Sequence, residues 1–309
     1  MKCSYLSLLG LLYTGCTDEK DDNAADTTTD PSITGDVSGS DTAEVEPPAV
    51  PDTVLPPGLT TLWITQEIDG IHVEREVLID APDTFASDIY PVVFAFHGAE
   101  GMNDKFVTQM EHLVQTDAFV GVYPQGHDGF WALGVEPSNA DDVAFIDAIV
   151  AELSLMDRID VDRVYAIGTS NGAGLAHRVA IQTRHFRAFV AMSTALTVSP
   201  VPDSTTHPVS VLQIMGMLDG LCPYDGGETA IGHTFMPAED SVATWASAIG
   251  CSGEGTLDIE PNGDRRLHWN DCPGDREVMG IGLGTVGHGI PADYEGNLMS
   301  FAWSFLRTH

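Results

Sequence analysis

Basic residues are scarce in this chain of 309 residues: 13 Lys and Arg stand against 46 Asp and Glu, a formal net charge of −33. That imbalance excludes nucleic acid and anionic lipid headgroups as partners, because every approach to a phosphate surface is repulsive. Long apolar runs are missing too, and none reaches the ~18–20 residues of a membrane-spanning helix. Cysteine is sparse, with 5 in the chain and no Cys-x-x-Cys pair, which argues against a zinc site. No internal repeat is visible. What is plentiful is apolar matter: hydrophobic residues make up 43% of the chain, more than a wholly disordered polymer carries. The length is enough for one substantial buried core.

The first residues read differently from the rest. Met1 and Lys2 make a minimal positive start, and Tyr5 to Tyr13 form an apolar stretch of signal-peptide length. It ends in Tyr13-Thr14-Gly15-Cys16, which resembles a lipobox. Residues 1–16 are therefore read as a signal peptide, with Cys16 the acylated first mature residue. Tyr13 stands where Leu is usual, and plain secretion after cleavage is the alternative. Residues 17–58 are rich in Asp, Thr, Pro and Ala, with Lys20 their one base. Such a stretch cannot bury enough apolar area to offset its ordering entropy, so it reads as a disordered, acidic tether. The protein is then exported, lipid-anchored to the cell envelope or secreted, and touches a membrane only through that anchor. In the remaining chain, Cys251 and Cys272 bracket a Gly-, Asp- and Asn-rich excursion, and an oxidising compartment lets them pair, leaving Cys222 single.

Residues 59–309 read as one α/β domain. Leu62 to Thr65 and Ile71 to Ile79 alternate apolar with polar residues, as half-buried antiparallel strands do. Tyr90 to Phe96 is a continuous apolar run, the mark of a strand covered on both faces. Ala118 to Tyr123, Val164 to Ile167, 187–192, 209–215 and Val278 to Leu283 read as further strands. Helical spacing runs over 104–115 and over Asn139 to Met156, the latter capped by Asn139 or Asp141. Other helices are expected after Gly168 to about Gln182, at about 239–249 and at about 292–306. Such alternation implies a mostly parallel sheet with helices on both faces.

The chemistry begins at Gly168-Thr169-Ser170-Asn171-Gly172. A bare G-x-S-x-G is a weak signal, but this one falls at a strand-to-helix junction, where a sharp turn lifts the serine hydroxyl above the sheet. The Asn171 N–H, opening the helix, is placed to donate into an oxyanion hole. A serine needs an oriented base, and both partners belong at later strand ends. Asp219 follows the strand ending near Met215 and Gly216, and His288 follows the strand ending near Leu283. Asp225 is the alternative acid and His268 the alternative base. The turn after the first long strand, Phe96-His97-Gly98-Ala99-Glu100-Gly101, offers a second oxyanion donor from Ala99 or Glu100. His97 precedes the nucleophile and is expected to buttress this loop through its ring nitrogens. Gly282 to Gly287 matches G-x-G-x-x-G, but it ends at His288 near the C-terminus rather than opening an early helix, so it is no dinucleotide fingerprint.

Taken in order, these motifs resemble the polyhydroxybutyrate-depolymerase-like and feruloyl/acetylxylan esterase group of α/β-hydrolases, carbohydrate esterase family 1 and relatives. The resemblance covers roughly 70–305. It rests on Phe96 to Ala99, Tyr123 to Gly126, Asp141 to Phe145, Asp162 to Gly172, Met217 to Asp219, Pro223-Tyr224, the Cys251 and Cys272 pair, and Gly287-His288. It implies Ser170 as nucleophile, His288 as base, Asp219 as its orienting acid and Asn171 as an oxyanion donor. Trp131 and Tyr224 are then expected to border the substrate pocket, and Asp142 to be structural. The reaction implied is two-step hydrolysis of a small-molecule or oligosaccharide ester, with no metal or organic cofactor. Gly289-Ile290-Pro291 lacks the tryptophan often found there in polymer-acting relatives, which favours feruloyl, acetyl or short 3-hydroxyalkanoate esters over insoluble polyester. A peptidase or lipase of the same fold is the alternative enzyme. A non-catalytic tethered binding protein is the alternative from another class.

Overall fold

In the computed structural model, which describes residues 54–116 and 118–309, the chain begins with an antiparallel ribbon of β1 (Gly58–Ile68) and β2 (Ile71–Ala81). Asp69 and Gly70 close it with φ of 52° and 79°, the left-handed pair that a two-residue turn demands. The signal peptide, Cys16 and nearly all of the tether lie outside the described residues. Order starts upstream of the expected boundary at 59. Leu55 is 1% exposed, and its N–H donates to Asp157 Oδ1 at 2.8 Å, so an apolar side chain expected in the tether belongs to the core.

Alternating elements follow: β3 (Tyr90–Phe96), α1 (Asp104–Val114), β4 (Val120–Pro124), α2 (Asp142–Leu153), β5 (Ile159–Thr169), α3 (Asn171–Gln182), β6 (Phe186–Met192) and β7 (Ser210–Gly216). A short hairpin, β8 (Gly227–Glu228) with β9 (Thr234–Phe235), precedes α4 (Ala238–Ala248). Then come β10 (Thr256–Ile259), β11 (Arg265–Cys272), β12 (Arg276–Leu283) and α5 (Leu298–Leu306). Asp141 caps α2 by accepting the Ala144 N–H at 3.0 Å, and Asn297 caps α5 by accepting that of Ser300 at 2.9 Å. The last helix therefore begins at 298 rather than near 292, because Pro291 and a 3₁₀ turn at 294–296 occupy the interval.

One ten-stranded sheet runs in the order β1-β2-β4-β3-β5-β6-β7-β12-β11-β10. From β4 to β12 the neighbours are parallel, and the two edges are antiparallel. The pleat divides β3 between two cores: Phe94 and Phe96 point toward α2, α3 and α4, while Val93 and Ala95 point toward α1 and α5. Being covered on both faces is why the central strands read as unbroken apolar runs.

The 252–271 excursion differs from expectation. It is not a loop but the strand pair β10–β11, which extends the sheet beyond β12. Cys251 and Cys272 are joined across it as a disulfide, and Cys222 is free and buried. Because the central strands are parallel, their C-terminal ends share one edge. The turn after β3 and the loops holding Ser170, Asp219 and His288 all leave from that edge.

Candidate active site

Ser170 sits between the end of β5 and the start of α3 with φ 53° and ψ −123°, a conformation that side-chain-bearing residues rarely adopt. Its N–H donates to the Met192 carbonyl on β6 at 2.8 Å, and its carbonyl accepts from Ala173 and Gly174. The flanking glycines make the turn sterically feasible. A Cβ at Gly168 would lie 2.3 Å from the Gly172 carbonyl oxygen, and one at Gly172 would lie 2.2 Å from that of Phe96. The helix therefore starts pressed against β3, with the serine raised at the sheet edge.

Three distant side chains meet there. His288 Nε2 lies 2.9 Å from Ser170 Oγ, and His288 Nδ1 lies 2.8 Å from Asp219 Oδ2. The other Asp219 oxygen accepts the N–H groups of Leu221 at 2.8 Å and Cys222 at 2.9 Å. Burial pushes the Asp219 carboxyl up, but hydrogen bonds from His288, Cys222 and Leu221 outweigh it and hold the group below the usual carboxylate range. The acid is thus ionised and fixed, and it selects the imidazole tautomer that presents an unprotonated Nε2 to the serine. The His288 loop is tied down by a residue with no motif of its own: Ser193 Oγ accepts the Gly289 N–H at 3.2 Å. It is Asp219, not the alternative Asp225, that contacts His288, and His268 pairs elsewhere, with Glu277 at 2.9 Å. Asp219, Cys222 and His288 hold potential metal-ligand atoms within 4.8 Å of one another. Burial pushes the Cys222 thiol up to about 12.

The turn after β3 packs directly beside the serine, where a Cβ on Gly98 would lie 3.4 Å from that of Ser170. Gly101 closes the turn by donating to the Gly98 carbonyl at 3.0 Å, with Glu100 at φ 56°. His97 supports it from below. Its Nε2 accepts the Gly126 N–H at 2.9 Å, so Nδ1 carries the hydrogen and donates to the Gly98 carbonyl at 2.8 Å. Burial lowers its pKa, which keeps the ring neutral. Across from this turn, Asn171 opens α3, and its N–H belongs to the first-turn donors that a helix leaves without an intrahelical acceptor.

Of the two expected pocket residues, Trp131 turns out to be a packing residue. Trp131 is 0% exposed. Its indole N–H donates to the His97 carbonyl at 2.9 Å, and its ring packs edge-on against Phe96. A side chain sealed in this way cannot touch a substrate. Tyr224 is half-buried, its ring seated on Gly282 and its hydroxyl bonded to Glu239 at 3.2 Å. Asp142 is structural as expected: it pairs with Arg75 at 2.8 Å and accepts the Ala132 N–H at 2.6 Å, both side chains being buried. Arg75 in turn stacks 3.7 Å from the Phe145 ring centre. Neither Ser193 nor the Glu136–His233 pair described below carries a sequence signature; each is an ordinary polar residue made important only by the tertiary fold.

No family model matches the chain. It is 25% identical over 248 residues to feruloyl esterase B of Piromyces equi, an overlap covering 75% of this chain and 45% of that protein. To feruloyl esterase C of Emericella nidulans it is 30% identical over 174 residues, covering 52% and 61%. The chain thus spans about half the length of these curated relatives. Its backbone matches the acetyl xylan esterase of Aspergillus awamori with a TM-score of 0.59 at 14% identity, covering 81% of this chain and 99% of that one. Among the described residues, no helix is long and apolar enough to cross a membrane. The chain is an α/β-hydrolase by fold, and its sequence is similar to those of feruloyl esterases.

Proposed function

We propose that this protein is a serine esterase that hydrolyses carboxylic esters through an acyl-enzyme on Ser170. The observation that carries the reading is the unbroken chain from Ser170 Oγ through His288 to Asp219, at 2.9 and 2.8 Å. As the Ser170 oxygen attacks the ester carbonyl carbon, its proton passes to His288 Nε2. The tetrahedral oxyanion accepts hydrogen bonds from the Asn171 N–H and from Ala99 or Glu100 of the facing turn; losing one such donor typically costs ~3 kcal/mol of transition-state stabilisation. Collapse breaks the ester C–O bond, and the departing alkoxide takes the proton from His288. Water then gives a proton to the same nitrogen as it attacks the acyl carbon. The acid leaves, and Ser170 recovers its hydrogen.

The substrate class follows from sequence likeness: feruloyl or acetyl esters of polysaccharides, or short 3-hydroxyalkanoate esters. Export is supported by the leader-like residues 1–16, with Cys16 the lipid acceptor of an envelope-anchored form and the acidic stretch after it the tether. Side-by-side hydrolysis of methyl ferulate, acetylated xylan and a 3-hydroxybutyrate ester tests the reading, with Ser170→Ala as control. Cleavage of at least one ester by wild type alone is expected. No cleavage of any of them, or cleavage that survives Ser170→Ala, contradicts it.

A further inference from the structure

Glu136 is a buried carboxylate with no place in the acyl-transfer steps, yet its partners converge beside Ser170. Its Oε1 accepts from Asn171 Nδ2 at 3.0 Å and lies 2.8 Å from His233 Nε2. Its Oε2 accepts the backbone N–H groups of Leu133 at 2.7 Å and Val135 at 3.2 Å. The Glu136 and His233 side chains are only 8% and 10% exposed. Burial pushes the Glu136 carboxyl up, but the bonds from His233 and the loop N–H groups outweigh it and keep the group below the usual range. His233 reaches this point from the β8–β9 hairpin, which lies in the β7–α4 connection that also carries Asp219. One carboxylate therefore holds together the hairpin, the 131–136 loop and the start of α3.

What that cluster immobilises is the pair of surfaces facing the proposed oxyanion. The Asn171 carboxamide is paired with the Trp131 backbone in both directions, accepting its N–H at 2.8 Å and donating to its carbonyl at 3.0 Å. The Trp131 indole is bonded to the His97 carbonyl, at the root of the turn that supplies Ala99 and Glu100. Trp131 is thus a strut between the two halves of the oxyanion cradle, and Asn171 is its attachment on the helix side. Glu136 takes the remaining Asn171 N–H and fixes the carboxamide in its plane. Arg178 secures the same loop to α3, donating to the carbonyls of Ala132 and Leu133 at 2.7 and 2.8 Å.

We infer that Glu136, in its pairing with His233, is a positioning residue that sets the distance between the Asn171 N–H and the facing turn. The inference rests on the ester-hydrolase reading above. It predicts an effect on the transition state rather than on substrate capture, because the oxyanion exists only during turnover. Glu136→Gln is a sharp probe. Every neighbour of the two carboxylate oxygens is a donor, so whichever way the amide turns it aims an N–H at another N–H.

The experiment is steady-state hydrolysis of 4-nitrophenyl acetate by wild type, Glu136→Gln, His233→Leu and His233→Gln, with thermal unfolding followed by circular dichroism. Glu136→Gln and His233→Leu should lower kcat about tenfold or more while KM stays within about twofold. His233→Gln, which restores a neutral N–H donor, should recover most of the lost kcat. Should Glu136→Gln fail to fold, the two His233 variants alone carry the comparison. Variants with kcat within about twofold of wild type, or with KM raised at unchanged kcat, overturn the positioning role. Turnover by wild type that Ser170→Ala abolishes is the internal control: its absence removes the hydrolase reading, whereas its presence beside unchanged variants removes only the role of Glu136.

Discussion

His288 Nε2 lies 2.9 Å from the hydroxyl of Ser170, a residue 118 positions earlier in the chain, while its Nδ1 lies 2.8 Å from Asp219. The parallel sheet makes this meeting possible, since β5, β7 and β12 all end at the same edge. Asp219→Asn leaves an oxygen for the Leu221 and Cys222 N–H groups but turns an NH₂ toward the imidazole, which then settles in the wrong tautomer. A loss in kcat of about 10⁴ with the fold retained is expected. Circular dichroism and ester turnover on the same sample check it.

Close packing at the serine turn gives a second prediction. The imagined Cβ at Gly172 would meet the Phe96 and His97 carbonyl oxygens at 2.2 and 2.4 Å, and neither is a flexible side-chain end that could swing away. Gly172→Ala is expected to cost more than about 3 kcal/mol in a urea melt and to abolish turnover. Gly220→Ala is the matched control, because nothing lies within 4 Å of its Cβ; a change of about 0.5 kcal/mol or less is expected.

Asp80 yields a pH dependence whose sign can be worked out. It lies on β2 at 4% exposure, and burial, with Glu111 and Asp83 nearby, raises its pKa to about 6 from the ordinary 3.8. Between those values the folded state holds a proton that the unfolded chain has released, so this group makes stability fall as pH rises toward about 6. Above that window the folded state carries a penalty on the order of 3 kcal/mol. Asp80→Asn should therefore raise the Tm at pH 8 and change it little at pH 4. Calorimetry at both pH values is the check; equal shifts at the two would contradict the assignment.

The disulfide should matter to stability and not to chemistry. Cys251 follows α4 and Cys272 ends β11, beside the start of β12 and at the opposite end of that strand from the His288 loop. Its partners are 21 positions apart, and opening a loop of that size costs ~3 kcal/mol in the chain-entropy account. Replacing both cysteines with Ser should lower the Tm while leaving kcat of the folded protein within about twofold. A large loss of kcat at temperatures where the variant is still folded would contradict this.

Much of the candidate site is legible in the sequence because parallel strands announce themselves. Val211 to Met215 and Val278 to Leu283 are largely apolar runs, which places the residues just past them, Asp219 and His288, at strand ends. Edge strands give no such signal. Residues 256–259 are exposed throughout, and their Asp- and Gly-rich surroundings look like a loop until β11 pairs with β12. Trp131 departs from what the family resemblance implies: its indole N–H finds a backbone carbonyl indoors and the ring follows it into the core. The Glu136–His233 contact joins residues 97 positions apart and belongs to no local pattern. Only tertiary structure reveals it.

The most direct test of the central claim is intact-mass analysis after treatment with a fluorophosphonate, on wild type, Ser170→Ala and His288→Ala. One stoichiometric adduct is expected on wild type, mapped by peptide digestion to Ser170, and none on either variant. An unmodified wild-type protein, or an adduct that persists in Ser170→Ala, would contradict it.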